Sequence, residues 1–355
     1  MTELLIGTKK GLFALAGHAG SPFEVTARAF AGDPVEYAVR DPRSGRIFAS
    51  VTSPFYGPKL WYTEESAEEW IQAEGLELPA GGDVALERIW TVVPGVDDGT
   101  VYAGGDPGVL FVSRDGGSTF ELNRALWEQP SRDRWQPGAG GLCLHSIVTW
   151  PGEPDRLALA ISAAGVWLTE DGGESWTRGN EGLVPRYLPE DAPDDEIALC
   201  VHRLRRAPTR PERIFMQFHG GVYRSDDAGA TWTSIADGLP SDFGFPLAVD
   251  PADPDSAYVI PLAADVDRVT PDGRVRVYET RDGGASWTAR GEGLPSEDAY
   301  LTVLRGAMDQ AGSGASLELY FGATSGDVYG SGDAGATWFE VAKHLPPIFS
   351  VSAAA

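Results

Sequence analysis

The sequence is poor in the features that mark several common protein classes. It has only two cysteines, Cys143 and Cys200, among 355 residues, which is too few for a disulfide-stapled scaffold of this length. It has no run of about 18 apolar residues, the length that a membrane-spanning helix needs. Its first residues lack the basic start, apolar stretch and small-residue cleavage site of a secretory signal. We therefore expect a cytoplasmic protein that does not bind a membrane.

Basic residues are also scarce. Lys and Arg together number 28 against 52 Asp and Glu, which gives a formal net charge of −24, and only four of the basic residues are lysines. Nucleic-acid binding draws its affinity from basic residues that displace counterions from the phosphate backbone, and an acidic surface repels phosphates and anionic lipids. The composition predicts an acidic protein without a nucleic-acid partner.

A motif of eight residues recurs along the chain. Its pattern is Ser/Thr-x-Asp-x-Gly-x-Ser/Thr-aromatic, and its five full copies are SRDGGSTF from Ser113, TEDGGESW from Thr169, SDDAGATW from Ser225, TRDGGASW from Thr280 and SGDAGATW from Ser331. A sixth, weaker copy, TEESAEEW, begins at Thr63. Successive copies start 50, 56, 56, 55 and 51 residues apart. One further unit precedes Thr63, around the sequence GLFAL, so the repeat predicts seven structural units.

Within each unit, short β-branched and aromatic runs alternate with Gly, Pro and Asp turns, which is typical of antiparallel strands. Four strands in about 50 residues is the size of a β-propeller blade. We therefore predict an all-β fold, a seven-bladed β-propeller of four-stranded antiparallel blades, in which residues 1–355 form a single domain. The strand near Leu4 and the apolar strand from Ile348 to Ser352 are expected to complete one shared blade.

The repeated aspartates are predicted to be structural. Each is placed to accept hydrogen bonds from the amides of its own hairpin turn, and the glycines after it allow the positive φ that such a turn needs. The aromatic residue that ends the motif is expected to be buried between blades. The structural aspartates are Asp115, Asp171, Asp227, Asp282 and Asp333.

These motifs resemble the Asp-box, or BNR, repeats of sialidases, sortilin-type receptors, xyloglucan-degrading propellers and photosystem assembly propellers. Stretches such as GLCLHSI, HGGVYRSDDAGATW and LTVLRGAM more closely resemble bacterial single-propeller proteins of the YVTN/BNR-like repeat group, which are catalogued as sialidase-like or glycosyl hydrolase. The resemblance covers nearly the whole chain and implies a propeller. The activity that it implies is hydrolysis of a carbohydrate-like or anionic substrate.

The chain departs from both kinds of hydrolase active site. Sialidases resemble one another in an early Arg-Ile-Pro motif, three arginines that grip a carboxylate and a Tyr-Glu nucleophile pair. Here the first arginine is Arg28, no Ile-Pro follows it, and no arginine triad can be assigned. The xyloglucan enzymes place catalytic carboxylates between two propellers, and this chain encodes one. We therefore expect either a glycoside-hydrolase-like enzyme that is not a sialidase with the usual triad, or a non-catalytic scaffold that binds another protein.

A candidate site comes from aligning the predicted innermost strands. Five of them end at a proline, and six residues before each proline lie Glu36, Arg88, His145, His202 and Phe245. Equivalent positions on successive inner strands are expected to form an arc near one end of the central channel, the usual ligand site of such a ring. The candidate catalytic residues are Glu36, His145, His202 and Asp265, and the candidate ligand-binding residues are Arg88, His219 and Arg268.

Three interpretations of this arc remain open. In the first, the polar side chains only satisfy one another. In the second, the arc binds an anionic or sugar-like molecule through Arg88 or Arg268, with a histidine as acid/base or with Glu36 and an aspartate as a carboxylate pair. In the third, His145, His202 and His219 hold one transition metal ion. Without that ion, no cofactor is expected.

Two further segments carry expectations. Trp127 and Trp135 lie in a long insert between the third and fourth units and are expected in a loop that caps one mouth of the channel. The arginine-rich segment 203–206 is expected to pair with the nearby acids Asp194, Asp195 and Glu196, because a charge run in an acidic protein usually lies on a solvated surface.

Overall fold

The seven repeat units fold as seven four-stranded antiparallel sheets, in a computed structural model that describes residues 1–64, 69–81, 84–185, 199–263 and 266–354. The prediction of a seven-bladed β-propeller with four-stranded blades is confirmed. Within the described ranges, helix is confined to α1 (Arg124–Trp127) and short 3-10 turns. None of these helices has the length and apolar character that crossing a membrane requires.

The first three blades contain the strands from the N-terminal part of the chain and the last strand. Blade one consists of β1 (Thr2–Thr8), β2 (Gly11–Gly17), β3 (Glu24–Ala29) and β28 (Ile348–Ala354). Blade two consists of β4 (Val35–Arg40), β5 (Ile47–Ser53), β6 (Gly57–Thr63) and β7 (Ile71–Gln72). Blade three consists of β8 (Arg88–Pro94), β9 (Val101–Asp106), β10 (Val109–Ser113) and β11 (Glu121–Leu122).

The other four blades follow in chain order. Blade four consists of β12 (Cys143–Trp150), β13 (Glu153–Ser162), β14 (Gly165–Thr169) and β15 (Thr177–Arg178). Blade five consists of β16 (Val201–Arg206), β17 (Ile214–Phe218), β18 (Gly221–Ser225) and β19 (Thr233–Ser234). Blade six consists of β20 (Gly244–Asp250), β21 (Asp253–Pro261), β22 (Val277–Thr280) and β23 (Thr288–Arg290). Blade seven consists of β24 (Met308–Ala311), β25 (Glu318–Gly322), β26 (Val328–Ser331) and β27 (Phe339–Ala342).

The innermost strands of the blades form a closed ring. In blades two to seven the first strand is innermost, and in blade one this place is taken by β28, which pairs with β1 in a register that sets Leu5 opposite Ser352. Each inner strand contacts the inner strand of the next blade, and β24 contacts β28, so the last blade meets the first. Large apolar side chains such as Trp150, Tyr258 and Phe321 are fully buried in the core of the ring.

Each full copy of the eight-residue motif turns the chain between the third and the outermost strand of its blade. In the copy that starts at Ser225, Asp227 accepts hydrogen bonds from the amide and hydroxyl of Thr231, at 2.9 and 2.6 Å, and from the Ser225 hydroxyl at 2.7 Å. The same bonds recur around Asp115, Asp171, Asp282 and Asp333. Because its oxygens are satisfied inside the turn, each aspartate holds its own hairpin closed.

In the copies that start at Ser225 and Thr280, the tryptophan that ends the motif hydrogen-bonds to the preceding blade. Trp232 is 5% exposed, and its indole N–H donates to the Gly179 carbonyl of the preceding blade at 2.8 Å. Trp287 donates in the same way to the Ile235 carbonyl at 2.7 Å. The motif therefore stabilises the interface between blades as well as its own turn.

The motif aspartates give the fold an expected response to acid. The Ser286 hydroxyl and then the Ser286 amide hold the pKa of Asp282 at about 2, below the value of about 3.9 in an unfolded chain. Such a carboxyl stabilises the fold above about pH 4, and the stabilisation is lost as the pH falls towards the folded pKa, because the unfolded state binds the proton first. We expect Asp282→Asn to be less stable than wild type at pH 7 and to lose less stability between about pH 4 and pH 2.

Urea unfolding of the two proteins across this pH range measures the effect. If the free energy of unfolding falls equally in wild type and Asp282→Asn as the pH is lowered, the depressed pKa of this carboxylate does not contribute to stability.

A β-bulge interrupts six of the seven inner strands near their N-terminal ends. In β12, for example, Leu144 pairs with Ile161 and Ser146 with Ala160, so that His145 is left out of the register. A bulge bends the strand and redirects the extra side chain. The residues left out in this way are Phe349, Glu36, Trp90, His145 and His202, and in β20 Phe245 with Pro246.

Candidate functional site

A cavity of about 240 Å³ lies at the ring axis, beside the bulges. One bulge residue from each of six blades lines it: Phe349, Glu36, Trp90, His145, His202 and Phe245. Since each inner strand contributes its bulge residue, the wall combines aromatic, acidic and imidazole side chains that are far apart in the sequence. The site is therefore a product of the ring closure and of the bulges together.

Every candidate site residue that lies in the described part of the chain is on the wall of this cavity: Glu36, Arg88, His145, His202, His219 and Arg268. Asp265 lies outside the described residues. Counting six residues back from the proline selected Arg88 in β8, but the bulge residue of this strand is Trp90, two residues further along. Arg88 still reaches the cavity, with its guanidinium 4.8 Å from the centroid of the Trp90 ring.

Four arginines converge on the cavity: Arg88, Arg203, Arg268 and Arg305. The Arg305 guanidinium lies 5.1 Å from the Trp90 centroid and 5.4 Å from the Phe245 centroid. Aromatic faces attract a cation at such distances, so the rings hold the guanidinium without neutralising it. Burial lowers the pKa of Arg203 to about 10, which leaves this residue charged near neutral pH. The cavity is thus positively charged within a chain of net charge −24.

Glu36 is the one carboxylate on the described part of the cavity wall. Its side chain is 8% exposed, and its Oε1 lies 3.5 Å from Arg88 Nε. Burial raises the pKa of Glu36, while the positive charge of Arg88 opposes the rise. The carboxyl therefore offsets part of the charge of Arg88, and the described part of the wall carries more arginines than carboxylates.

Several donors on the wall make no hydrogen bond to the described residues. They are the Nε atoms of Arg203 and Arg305 and the indole Nε1 of Trp90, together with Arg88 Nε, which has only the ion-pair contact with Glu36 at 3.5 Å. The great majority of buried polar groups in proteins are paired, and an unpaired one costs about 1–3 kcal/mol. A set of unpaired donors around one cavity has the chemistry to bind a ligand rich in acceptor oxygens.

Both ring nitrogens of His145 form hydrogen bonds to protein groups. Its Nε2–H donates to the Val201 carbonyl at 2.7 Å, and its Nδ1 accepts from the Ser146 hydroxyl at 3.0 Å, a tautomer assigned from these partners. Burial, with Arg305 nearby, lowers the pKa of His145 well below its usual value. Because neither nitrogen is left to bind a ligand, the geometry favours a structural role for His145, in which it only satisfies the hydrogen bonds of neighbouring groups.

His202 is held in a different way. Its Nδ1–H donates to the Gly244 carbonyl at 2.6 Å, which places the lone pair on Nε2. The ring packs against Phe245 at 4.6 Å and against His219 at 5.4 Å between centroids. Cys200 Sγ and one ring nitrogen of each of His202 and His219 lie within 4.8 Å of one another. His145, which the sequence suggested as a third metal ligand, is not in this group, and Cys200 is.

The two segments that the sequence singled out beside the site are described in part. Trp135 is buried, with its ring centroid 5.2 Å from that of Trp167, and Gly138 to Gly140 of the same insert lie on the cavity wall. Arg205 pairs with Asp309 of blade seven at 3.0 Å. The acids Asp194, Asp195 and Glu196 lie outside the described residues.

Sequence reasoning missed Arg203, Arg305, Trp90 and Phe349 as cavity residues. Trp90 and Phe349 would follow from aligning bulges instead of prolines, but a bulge has no fixed sequence signature. Arg203 is adjacent to His202, and on a regular strand it would face away from it. Arg305 precedes β24 and lies outside the strand pattern on which the alignment depends.

Comparisons with known proteins agree with a glycosyl hydrolase-like propeller fold. No protein-family model matches the chain. A xyloglucanase from Paenibacillus sp. is 22% identical over 355 residues, which cover 84% of this chain and 31% of that protein. The chain therefore spans about a third of the length of this curated relative.

Solved structures give the same result for the fold. An ancestral GH74 enzyme has a TM-score of 0.54 at 16% identity and covers 83% of this chain and 36% of its own. YCF48 from Cyanidioschyzon merolae has a TM-score of 0.54 at 11% identity, over 86% of this chain and 84% of its own. A structure of YCF48 bound to D1 peptide has a TM-score of 0.50 at 13% identity, over 86% and 84%. These identities are low enough that the likeness is one of fold alone.

Proposed function

We propose that the axial cavity binds a small anionic molecule of carbohydrate-like type. The observation that carries this proposal is the set of buried donors that make no hydrogen bond to the described residues, namely the Nε atoms of Arg203 and Arg305 and Nε1 of Trp90, with Arg88 Nε, whose one contact is the ion pair with Glu36, beside them. A carboxylate or phosphate supplies two or three acceptor oxygens and a negative charge, and charge-assisted bonds to guanidinium groups are the strongest of the protein hydrogen bonds. One such ligand would satisfy donors that the described part of the chain leaves unpaired.

The charge distribution supports the same ligand class. Like charges that are held close together repel one another, yet this acidic chain concentrates four arginines on one small cavity. A wall of one sign with apolar surroundings focuses the electrostatic field on a ligand of the opposite sign. The arginine cluster is therefore understandable as a ligand site.

The size and the aromatic wall indicate what carries the anionic group. At about 240 Å³, the cavity is smaller than the sites of about 300–1,000 Å³ that take drug-sized ligands. Trp90, Phe245 and Phe349 supply flat apolar faces, against which a sugar ring can pack. These features favour a single sugar acid or sugar phosphate.

The similarity to a xyloglucanase makes hydrolysis the natural candidate activity. Glycoside hydrolysis ordinarily uses two carboxyl groups about 5–9.5 Å apart, and Glu36 is the one carboxylate that the described cavity wall offers. In our proposal Glu36, whose pKa burial raises, is the proton donor if the bound sugar is cleaved. Binding is the primary function, since it needs no second carboxylate.

Calorimetric titration tests the proposal with two probes and a control. Glucuronate and glucose 6-phosphate are expected to bind at one site per chain, while glucose, which has the same ring without the charge, is expected to bind at least about 10-fold more weakly, the factor that corresponds to one charged hydrogen bond. Equal affinity for glucose and glucuronate, or no binding of either anion, would refute the proposal.

Glu36→Gln is expected to strengthen the binding of glucuronate. The substitution keeps the shape of the side chain and frees Arg88 from the carboxylate 3.5 Å away, so the positive potential of the cavity rises. An ion pair of this kind is worth up to about 1 kcal/mol, and we expect a two- to five-fold gain in affinity. Weaker glucuronate binding by this variant would instead place the Glu36 carboxylate in direct contact with the ligand, as an acceptor of hydrogen bonds from its hydroxyl groups.

A second candidate function is a scaffold that binds a peptide of another protein. The solved structure of YCF48 bound to D1 peptide covers 86% of this chain, and Phe55 and Tyr56 form an exposed apolar tip on the hairpin between β5 and β6. If this is the function, binding of an apolar peptide should be lost in Phe55→Ser and unaffected by glucuronate. Competition between glucuronate and the peptide would assign both to the cavity.

A further inference from the structure

We propose that Cys200, His202 and His219 form a binding site for one borderline-soft transition metal ion, with Zn²⁺ as the best fit. The three residues line one side of the axial cavity, and their ligand atoms lie within 4.8 Å of one another. Nothing in the proposal depends on the anion site, and neither the comparisons nor the proposed function assigns a metal to this chain.

Local strand geometry brings the three ligands together. The His219 amide donates to the Cys200 carbonyl at 3.0 Å, so these two residues face each other across the ends of β16 and β17. His202 is two residues beyond Cys200 and is the bulge residue of β16, and the bulge turns its ring towards the same cavity. In a tetrahedral zinc site, bonds of about 2.0–2.3 Å place the ligand atoms closer together than they lie here. Small rotations of the side chains, without a change of fold, would close the remaining distance.

The orientation of His202 is the feature that best distinguishes this cluster from a chance grouping. Metal-binding histidines almost always donate their second ring N–H to a backbone carbonyl or a carboxylate, which fixes the tautomer. His202 makes this bond, from Nδ1 to the Gly244 carbonyl at 2.6 Å, and its Nε2 lone pair remains for the metal. By contrast, His145 uses both nitrogens within the protein.

The donor set selects the kind of ion. One thiolate with two imidazoles suits Zn²⁺ and copper, whereas Mg²⁺ and Ca²⁺ prefer oxygen ligands. Phe243 and Phe245 flank His202, with ring centroids 5.5 and 4.6 Å away, and such an apolar shell limits the access of water. With three protein ligands the ion would keep an open coordination position, the arrangement of catalytic rather than structural zinc sites.

The nearby arginines set the charge balance of the site. Arg268 and Arg305 lie on the same cavity wall, and alone they would repel a cation. A thiolate from Cys200 removes one unit of the charge of Zn²⁺, and the arginines then favour an anion in the open position. The metal site and an anion would occupy adjacent parts of one cavity and reinforce each other electrostatically.

The test is a titration of metal-free full-length protein with Zn²⁺ in excess Mg²⁺, so that the acidic surface is already occupied by an oxygen-preferring ion. Wild type is expected to bind one Zn²⁺ per chain, and Cys200→Ser and His219→Gln to bind it at least about 100-fold more weakly, as loss of a direct ligand exceeds the 10–100-fold cost of losing an outer partner. Three control variants are expected to match wild type: Cys143→Ser, which changes the other cysteine of the chain, and His18→Ala and His344→Ala, which change exposed histidines.

A second measurement covers the case in which the Cys200 and His219 variants fail to fold. Co²⁺ added to wild type should produce the near-ultraviolet charge-transfer band of a cobalt–thiolate bond, and Cys143→Ser should keep this band. No saturable Zn²⁺ binding in Mg²⁺, unchanged Zn²⁺ affinity in folded Cys200→Ser and His219→Gln, or a Co²⁺ spectrum without the thiolate band would each overturn the metal site. The variant Arg305→Met separates failure of the metal site from failure of the anion site. We expect this variant to lose anion binding and to bind Zn²⁺ as wild type does.

Discussion

Replacing Arg305 by Met is expected to make the ligand-free protein more stable and to remove its response to anions. Met retains an unbranched apolar stem between Trp90 and Phe245, whose centroids lie 5.1 and 5.4 Å from the guanidinium, and it removes a buried unpaired donor and one of four like charges. We expect a gain of about 1–2 kcal/mol in the free energy of unfolding. We also expect loss of the stabilisation that saturating glucuronate gives to wild type, which is about 2.7 kcal/mol at 100 times Kd.

Denaturant unfolding of wild type and Arg305→Met, each with and without glucuronate, measures both effects. The control is Arg124→Met, which removes an arginine whose side chain is 73% exposed and should change neither quantity. If Arg305→Met is instead less stable than wild type in the absence of ligand, the arginine cluster stabilises the fold and does not serve a ligand.

Trp232→Ala is expected to cost about 3–5 kcal/mol of folding free energy, the range measured for large-to-small changes of buried aromatic residues. The ring is 5% exposed and packs in the cluster between blades four and five that includes Met216 and Leu183, and its N–H bond to Gly179 is lost as well. Because Trp232 does not line the cavity, glucuronate should stabilise the variant as much as it stabilises wild type.

Chemical unfolding of Trp232→Ala gives the size of this effect, and Tyr56→Ala, which truncates an aromatic ring that is 81% exposed, is the matched control with an expected change within about 0.5 kcal/mol. A cost below about 1 kcal/mol for Trp232→Ala would mean that the motif tryptophan is not a main contact between blades.

The fold could be predicted from the sequence because the motif that shapes one blade is repeated along the chain. Five copies of one eight-residue motif fix the unit length, and each copy carries the aspartate that closes a hairpin and the aromatic residue that packs between blades. A ring also limits the consequences of a local error, since one weak copy such as that at Thr63 does not change the number of units. The same redundancy explains why the motif is uninformative about function.

The site could be predicted only in part. A proline-based alignment brings Glu36, His145, His202 and Phe245 to the axis, because in these blades the bulge lies at the same distance from the proline that ends the strand. In blade three the bulge lies two residues nearer to the proline, so the alignment selects Arg88 where the equivalent residue is Trp90. A bulge results from pairing between two strands, and a one-strand pattern does not contain that information.

The charge of the cavity is the feature that the sequence hides most fully. Arg305 lies in a loop before β24, and Arg203 lies in a run of arginines that, in a chain of net charge −24, has the appearance of a solvated surface. Their convergence follows from ring closure, which brings blades five and seven to one axis. Likewise, no short spacing links Cys200 and His202 to His219, because their proximity depends on cross-strand pairing of β16 with β17.

A crystal of the ligand-free protein soaked in selenate offers the most direct measurement of whether the cavity is an anion site, because anomalous scattering locates selenium independently of any assumption about the natural ligand. The expected result is an anomalous peak within hydrogen-bonding distance of the guanidinium groups of Arg88, Arg203 and Arg305. Selenate bound at exposed arginines such as Arg124, with no peak in the cavity, would contradict the claim that these buried donors exist to hold an anion.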